Sequence, residues 1–262
     1  MFPLMSSSFQ LLLSMHSFLP PMLNLSPKEV SSQTGSRIIG GSECVAHSQP
    51  WLIFLSNSEK NRCGGALINE HWVITAGHCQ GSNLTILIGK HDLQKHEEGE
   101  HVSNVTKAIV HPEFEKMTLK NDLMLLRMYQ PAQLGDTVKV IPVPKECAPV
   151  GTMCVVSGWG TTSFPDVNYT NTLQCAKISV LRKELCQSAY GNYFTEKQIC
   201  AGALEGGIDS CRGDSGSPLV CNGLLHGLVS WGPQTCGAKN SPAIYTEICK
   251  YRDWIEETIA TR

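Results

Sequence analysis

The sequence predicts an all-β protein of sandwich or barrel type with a single helix at its C-terminus. Three observations carry that reading. From residue 38 onward, short apolar runs of strand length alternate with Gly, Pro, Asn and Ser. One convincing stretch, at the end of the chain, repeats apolar residues at helical spacing. Twelve cysteines are spread singly through the same region, and none forms a C-x-x-C pair of the metal-binding kind. The 262 residues suffice for one large β domain or two small ones.

Residues 1–37 stand apart. They contain no cysteine and are rich in Ser, Pro, Leu and Met. Phe9 to Leu19 could be the apolar core of a signal peptide, although His16 and serines interrupt it and no Lys or Arg precedes it. Residues 20–37, with three prolines and "SSQTGSR", read as an exposed linker, so 1–37 is expected to be a signal and propeptide segment. Strands follow at His71–Thr75, Leu84–Ile88, Asp122–Leu126, Met153–Val156, Leu224–Val229 and Ala243–Thr246. In the closing helix, Tyr251, Trp254, Ile255 and Ile259 form one face, with Arg252, Asp253, Glu256 and Glu257 opposite. Many short strands with one terminal helix imply antiparallel layers.

Composition excludes several classes. A net charge of −2 gives no reason to expect a nucleic-acid or anionic-membrane partner. No apolar run is long enough to span a bilayer. An even number of well-spaced cysteines reads as disulfides, which persist in an oxidising compartment, so secretion is expected. Spacing alone leaves their pairing open.

"SCRGDSGSP" at 210–218 admits three readings: a nucleophilic serine, a glycine-rich loop, or an RGD tripeptide shown to a receptor. A serine hydroxyl needs an adjacent base, the base needs a carboxylate to orient it, and the developing oxyanion needs fixed N–H donors. The chain offers each. His78 follows a strand in Thr75-Ala-Gly-His-Cys79, and Asp122 precedes the apolar run Leu123–Leu126, which would carry it inside. Gly213 and Gly216 flank Asp214-Ser215, so the backbone can turn sharply there.

With "RIIGG" at 37–41, "TAGHC" at 75–79, "NDLMLL" at 121–126, "SGWG" at 157–160, "DSCRGDSGSP" at 209–218 and "SWG" at 230–232, the chain resembles the chymotrypsin/trypsin-type serine proteases, and within them the tissue-kallikrein-like branch. The resemblance spans 37–262 and keeps the family's order His, Asp, Ser. It implies two six-stranded antiparallel β-barrels, about 38–142 and about 143–262, with the site between them. It implies a catalytic triad of Ser215, His78 and Asp122, support from Ser230, and an oxyanion hole from the N–H groups of Gly213 and Ser215. Cleavage at Arg37–Ile38 would free an amino terminus to pair with buried Asp214, which argues against the RGD reading. The implied disulfides are Cys44–Cys175, Cys63–Cys79, Cys147–Cys249, Cys154–Cys221, Cys186–Cys200 and Cys211–Cys236.

The same resemblance places Asp209 at the base of the primary pocket, with Gly232 and Ala243 on its walls. A carboxylate there selects a substrate Arg or Lys. The chain departs from the usual pattern at Ala243 (glycine in trypsin), Ser217 (usually glycine), Gly77 (usually alanine) and Arg212 (often glutamine), the last favouring acidic residues near the cut. Lys90 stands where trypsins place a calcium-ligating glutamate, so the segment His91–His101 is expected to be a solvated loop. Zinc binding by His91, His96 or His101 is the lesser alternative there. Asn83-Leu-Thr, Asn104-Val-Thr and Asn168-Tyr-Thr are glycosylation sequons, while Asn24-Leu-Ser precedes a proline within the segment expected to be removed.

The expectation is therefore a secreted, monomeric serine endopeptidase of trypsin-like specificity, made as a zymogen and needing no cofactor or metal. Its partners would be protein or peptide substrates, protein inhibitors of serine proteases and an activating trypsin-like protease. The alternative is an inactive relative serving as a binding module.

Overall fold

The structure, a computed structural model, describes residues 38–163 and 165–261. The segment 1–37, with Arg37 and the Asn24 sequon, lies outside the described residues.

After a short strand β1 (Ser42–Glu43), the chain builds one barrel from β2 (Leu52–Ser56), β3 (Arg62–Asn69), β4 (Trp72–Thr75), β5 (Thr85–Ile88), β6 (His101–Val110) and β7 (Met124–Met128). These close antiparallel in the order β2-β3-β4-β7-β6-β5. Alternation decides which side faces in. In β5, Ile86 and Ile88 are buried while Thr85 and Leu87 are only half-buried. Ile53, Leu55, Leu67, Val73 and Met124 join Ile86 and Ile88 in the barrel's filling.

A second six-stranded ring follows, from β8 (Met153–Gly158), β9 (Gln174–Val180), β10 (Gln198–Gly202), β11 (Pro218–Cys221), β12 (Leu224–Trp231) and β13 (Ala243–Glu247). It runs β8-β9-β10-β13-β12-β11 and closes through β11 against β8, with β1 added on the outside of β9. Residues 38–44, which precede the first barrel, thus join the second. Ile38 is fully buried in its core beside Cys154 and Val156, and Cys44 is bonded to Cys175.

Two helices are present among the described residues. The expected one, α2 (Arg252–Thr261), buries Ile255. Tyr251 lies outside it, in a 3-10 turn over Ile248–Tyr251. Its cluster contains Trp72, Ile74 and Leu125 from the first barrel and Leu225 and Leu228 from the second, so α2 seals the seam between them. The other, α1 (Lys183–Tyr190), is absent from the sequence reading. It buries only Cys186 and is tied to β10 by Cys186–Cys200, so it leaves no apolar stripe to read.

Three expected strand starts shift, the one at Leu84 only by a residue, to Thr85. His71 belongs to a turn, because the Asn69 side chain accepts from the N–H groups of both His71 and Trp72. Asp122 precedes β7 by two residues, because Asn121 takes the left-handed conformation (φ 51°) and turns the chain there. All twelve cysteines are bonded, in the six pairs that the resemblance implies.

Candidate active site

The base side comes from loops after β4 and before β7. His78 sits in a single 3-10 turn, anchored by Cys79, which is bonded to Cys63 on β3. Its Nδ1 lies 2.7 Å from Asp122 Oδ2, and its backbone N–H donates to Asp122 Oδ1 at 2.9 Å. Two hydroxyls of the second barrel complete the clamp: Ser230 Oγ donates to Asp122 Oδ2 at 2.6 Å, and Thr246 Oγ1 to the Asp122 carbonyl at 2.7 Å. Asp122 is 1 % exposed, so the three bonds to its side chain, from His78 Nδ1, the His78 N–H and Ser230 Oγ, replace the water a carboxylate would otherwise hold. The geometry fits an imidazole that is protonated on Nδ1, leaving Nε2 to accept a proton.

Ser215 lines the same cavity as His78, about 260 Å³ in volume. The loop around it is fixed by its own amides. The N–H groups of Asp214, Gly216 and Ser217 donate to the carbonyls of Cys211, Val229 and Asp214. Among the described residues, the N–H groups of Gly213 and Ser215 have no such acceptor, which leaves two donors for an oxyanion. Gly213 must be glycine on two counts: its φ is 91°, and a Cβ there would fall 2.8 Å from the Tyr169 ring.

The RGD tripeptide is not available to a receptor, because Asp214 is fully buried. Its carboxylate accepts from the N–H groups of Gly160 at 2.8 Å and Cys211 at 3.0 Å. The glycines of "SGWG" make room for it, since a Cβ at Gly158 or Gly160 would lie within 2.5 Å of that carboxylate. Burial pushes its pKa up to about 7, and it has no ion-pair partner among the described residues.

Asp209 is the second such group. It is 3 % exposed, accepts from the Gly237 N–H at 2.9 Å, and is likewise without an ion pair among the described residues. Burial pushes its pKa up to about 6. The next two residues, Ser210 and Cys211, line a cavity of about 230 Å³ together with Ser215, Ser230 and Gly232. Gly232 and Ala243 face each other, since a Cβ at 232 would lie 3.9 Å from the Ala243 methyl. The two cavities meet at Ser215.

The departures from the usual pattern are placed as follows. Ser217 Oγ is buried with no hydrogen-bond partner. A methyl on Gly77 would come 3.3 Å from Asp122 Oδ1, a tight fit beside the base. Arg212 is exposed and lines the second cavity. Sequence reasoning missed the parts played by Thr246, the His78 amide and Tyr169, because no motif marks them for those contacts.

The segment 91–101 is a largely solvated loop, as expected, except at its start. Lys90, His91 and Asp92 are buried, and the Lys90 ammonium donates to Glu100 and to the Lys95 carbonyl. That cation holds the Glu100 carboxyl at about 2. His91 Nε2 lies 3.0 Å from Glu43 Oε1, His96 pairs with Glu100, and His101 opens β6. The three histidines do not gather into a three-donor site among the described residues.

A family model described as Trypsin matches residues 38–255. The chain is 47% identical to Kallikrein-14 of Homo sapiens over 231 residues, 87% of this chain and 86% of that protein. It is 46% identical to Trypsin of Sus scrofa over 224 residues, 86% of this chain and 96% of that one. Among solved structures, it is similar to neuropsin, a serine protease expressed in the limbic system of mouse brain. The TM-score is 0.80 at 41% identity, covering 84% of this chain and 98% of that chain.

Proposed function

We propose, for a chain that belongs to the trypsin family of serine endopeptidases, that it is a secreted enzyme cleaving after Arg or Lys and activated by cleavage at Arg37–Ile38. The observation that carries this reading is the buried carboxylate of Asp209, which has no ion pair among the described residues and directly precedes Ser210 and Cys211 in the lining of a cavity shared with Ser215. A guanidinium or ammonium entering that cavity supplies the missing counter-charge, while an apolar side chain leaves it unmet. Gly232 and Ala243 form the walls.

The chemistry runs through the residues at the junction of the cavities. Ser215 Oγ attacks the scissile carbonyl carbon as its proton passes to His78 Nε2, and Asp122 stabilises the imidazolium through Nδ1–H. The oxyanion is received by the N–H groups of Gly213 and Ser215. His78 then protonates the leaving amine, and a water attacks the acyl-enzyme by the same route in reverse.

Activation follows the same electrostatic logic. Asp214 is buried without an ion-pair partner among the described residues, and Ile38 is already packed in the second-barrel core, so a new α-ammonium on Ile38 would be its counter-ion. That ammonium's pKa would rise above its usual value of about 7.7–8.0, so the active form persists at neutral pH and is lost as pH rises through the raised value. Asn83, Asn104 and Asn168 are all exposed, which supports glycosylation at the three sequons. Protein substrates, protein inhibitors and an activating trypsin-like protease are the partners of this reading, with the enzyme acting as a monomer.

The test is hydrolysis of peptides with Arg, Lys, Phe or Leu before the cut, by protein taken before and after Arg37–Ile38 cleavage, with Ser215→Ala as control. Activity on Arg or Lys alone, only after cleavage and absent in the variant, supports the whole reading. Inactive but correctly cleaved protein would turn it toward the binding-module alternative.

A further inference from the structure

The two cavities that meet at Ser215 differ in their surroundings. The one behind Ser230 and Gly232 is lined by Arg212 and by Ser210 and Cys211, which follow the buried Asp209 in sequence, whereas the one shared by Ser215 and His78 is lined by two cations, Lys60 and Arg62, and by no Asp or Glu. On the proposed mechanism the leaving amine departs on the side of the general acid. His78 lines only the second of these cavities, so the substrate residues beyond the cut lie along Lys60 and Arg62.

Both cations are presented by the β2–β3 hairpin, and each is held by a specific device. Asn57 Oδ1 accepts from the N–H groups of Glu59 and Asn61 at 3.0 Å each, and its carbonyl accepts from the Lys60 N–H at 2.9 Å. Lys60 therefore sits at φ 60°, in the left-handed region that usually goes to glycine or asparagine. A lysine there carries a backbone cost, and its exposed side chain forms no ion pair among the described residues to offset it. The Arg62 guanidinium lies 4.7 Å from the centre of the Tyr169 ring and 5.7 Å from that of Phe54, so it is stacked in place beside the cavity. The neighbouring carboxylate, Glu59, accepts from Asn61 Nδ2 and does not line the cavity.

We propose that this enzyme selects substrates carrying Asp or Glu within the first three residues after the scissile bond, through Lys60 and Arg62. The inference rests on the reading of Ser215, His78 and Asp209 above. Together with the Asp209 pocket it defines a dipolar substrate, basic before the cut and acidic after it.

Two measurements separate failure of this inference from failure of the underlying reading. An Arg amide with no residues beyond the cut tests only the mechanism and the Asp209 pocket. Peptides with Arg before the cut and Glu, Gln or Lys at each of the next three positions test the charge selection. Their affinity is measured on activated Ser215→Ala protein, so the result does not depend on turnover, and kcat/KM is measured on the active enzyme. Glu should be preferred over Lys by about 3- to 10-fold at one position or more, as for partly exposed ion pairs. The preference should shrink in molar salt, where charges are screened within about 3 Å. Lys60→Gly suits the left-handed backbone and should reduce the ratio, and Lys60→Glu should bring it to one or below. Equal affinity for Glu and Lys peptides at all three positions overturns the proposal. So does a preference untouched by Lys60→Glu combined with Arg62→Gln.

Discussion

The two barrels reach the same fold by different means. The first is filled by Ile53, Leu55, Leu67, Ile86, Ile88 and Met124, and one disulfide, Cys63–Cys79, lies within it. The second contains Cys154–Cys221, Cys186–Cys200 and Cys211–Cys236, and Cys44–Cys175 and Cys147–Cys249 tie flanking segments to it or beside it. The difference follows from what each half must hold still. His78 and Asp122 sit next to strands and inherit the position of a packed core. Asp209, Gly213 and Ser215 share the one loop between β10 and β11, which buries polar groups, and apolar packing cannot fix those. Covalent links and buried amide–carboxylate bonds do so instead.

The largest expected effect tests the point where the halves join. Asp122→Asn should lower kcat/KM by about 10,000-fold, because the amide stabilises neither the required tautomer nor the imidazolium. Next come the staples. Removing either Cys211–Cys236 or Cys63–Cys79 by paired alanines should cost roughly 3 kcal/mol of stability, read from denaturant unfolding. Only the loss of Cys211–Cys236 should also weaken benzamidine binding more than tenfold at temperatures where the protein stays folded. Equal loss of binding in both variants would erase the contrast between the halves.

A smaller effect concerns pH. Asp209 is held near 6, above the ordinary carboxylate range, so the empty site is protonated below that value. A cationic ligand requires the ionised form. Benzamidine affinity should therefore rise about tenfold per pH unit up to about 6 and then level off, and Asp209→Asn should flatten the profile. For the stability of the unliganded chain the sign is reversed. The folded carboxyl holds its proton to a higher pH than the unfolded one, so its contribution is fully present at low pH and is lost as pH rises through about 6. The smallest effect is at Ser217, whose buried hydroxyl has no partner. Ser217→Ala should stabilise the protein by about 1 kcal/mol, a rise of a few degrees in Tm.

What could be read before the fold was known divides along chemical lines. The proposed triad of His78, Asp122 and Ser215 could be picked out because the proposed reaction needs those residue types in short, recognisable settings. The two-barrel architecture came with the resemblance, while the strand pattern alone reached only sandwich or barrel. β3 (RCGGALIN) and β10 (QICAG) contain too much glycine, alanine and cysteine to read as strands, and helix α1 buries a single residue. Thr246 was illegible for another reason: it bonds Asp122 across 124 positions of sequence, and a lone threonine on a strand carries no mark of it. Lys90 shows another limit. The run His91–His101 was expected to be solvated, and the lysine just before it proves to be buried against Glu100 and a carbonyl.

One small contact links events at opposite ends of the chain's life. Ile39, two residues beyond the bond proposed for cleavage, pairs with Asp209, and the Asp209 N–H donates to the Ile39 carbonyl at 3.0 Å. Gly237, whose N–H holds the Asp209 carboxylate, is packed against the same isoleucine. The floor of the proposed specificity slot is therefore laid on the segment just beyond the proposed maturation cut, so any looseness in that segment becomes looseness in the slot.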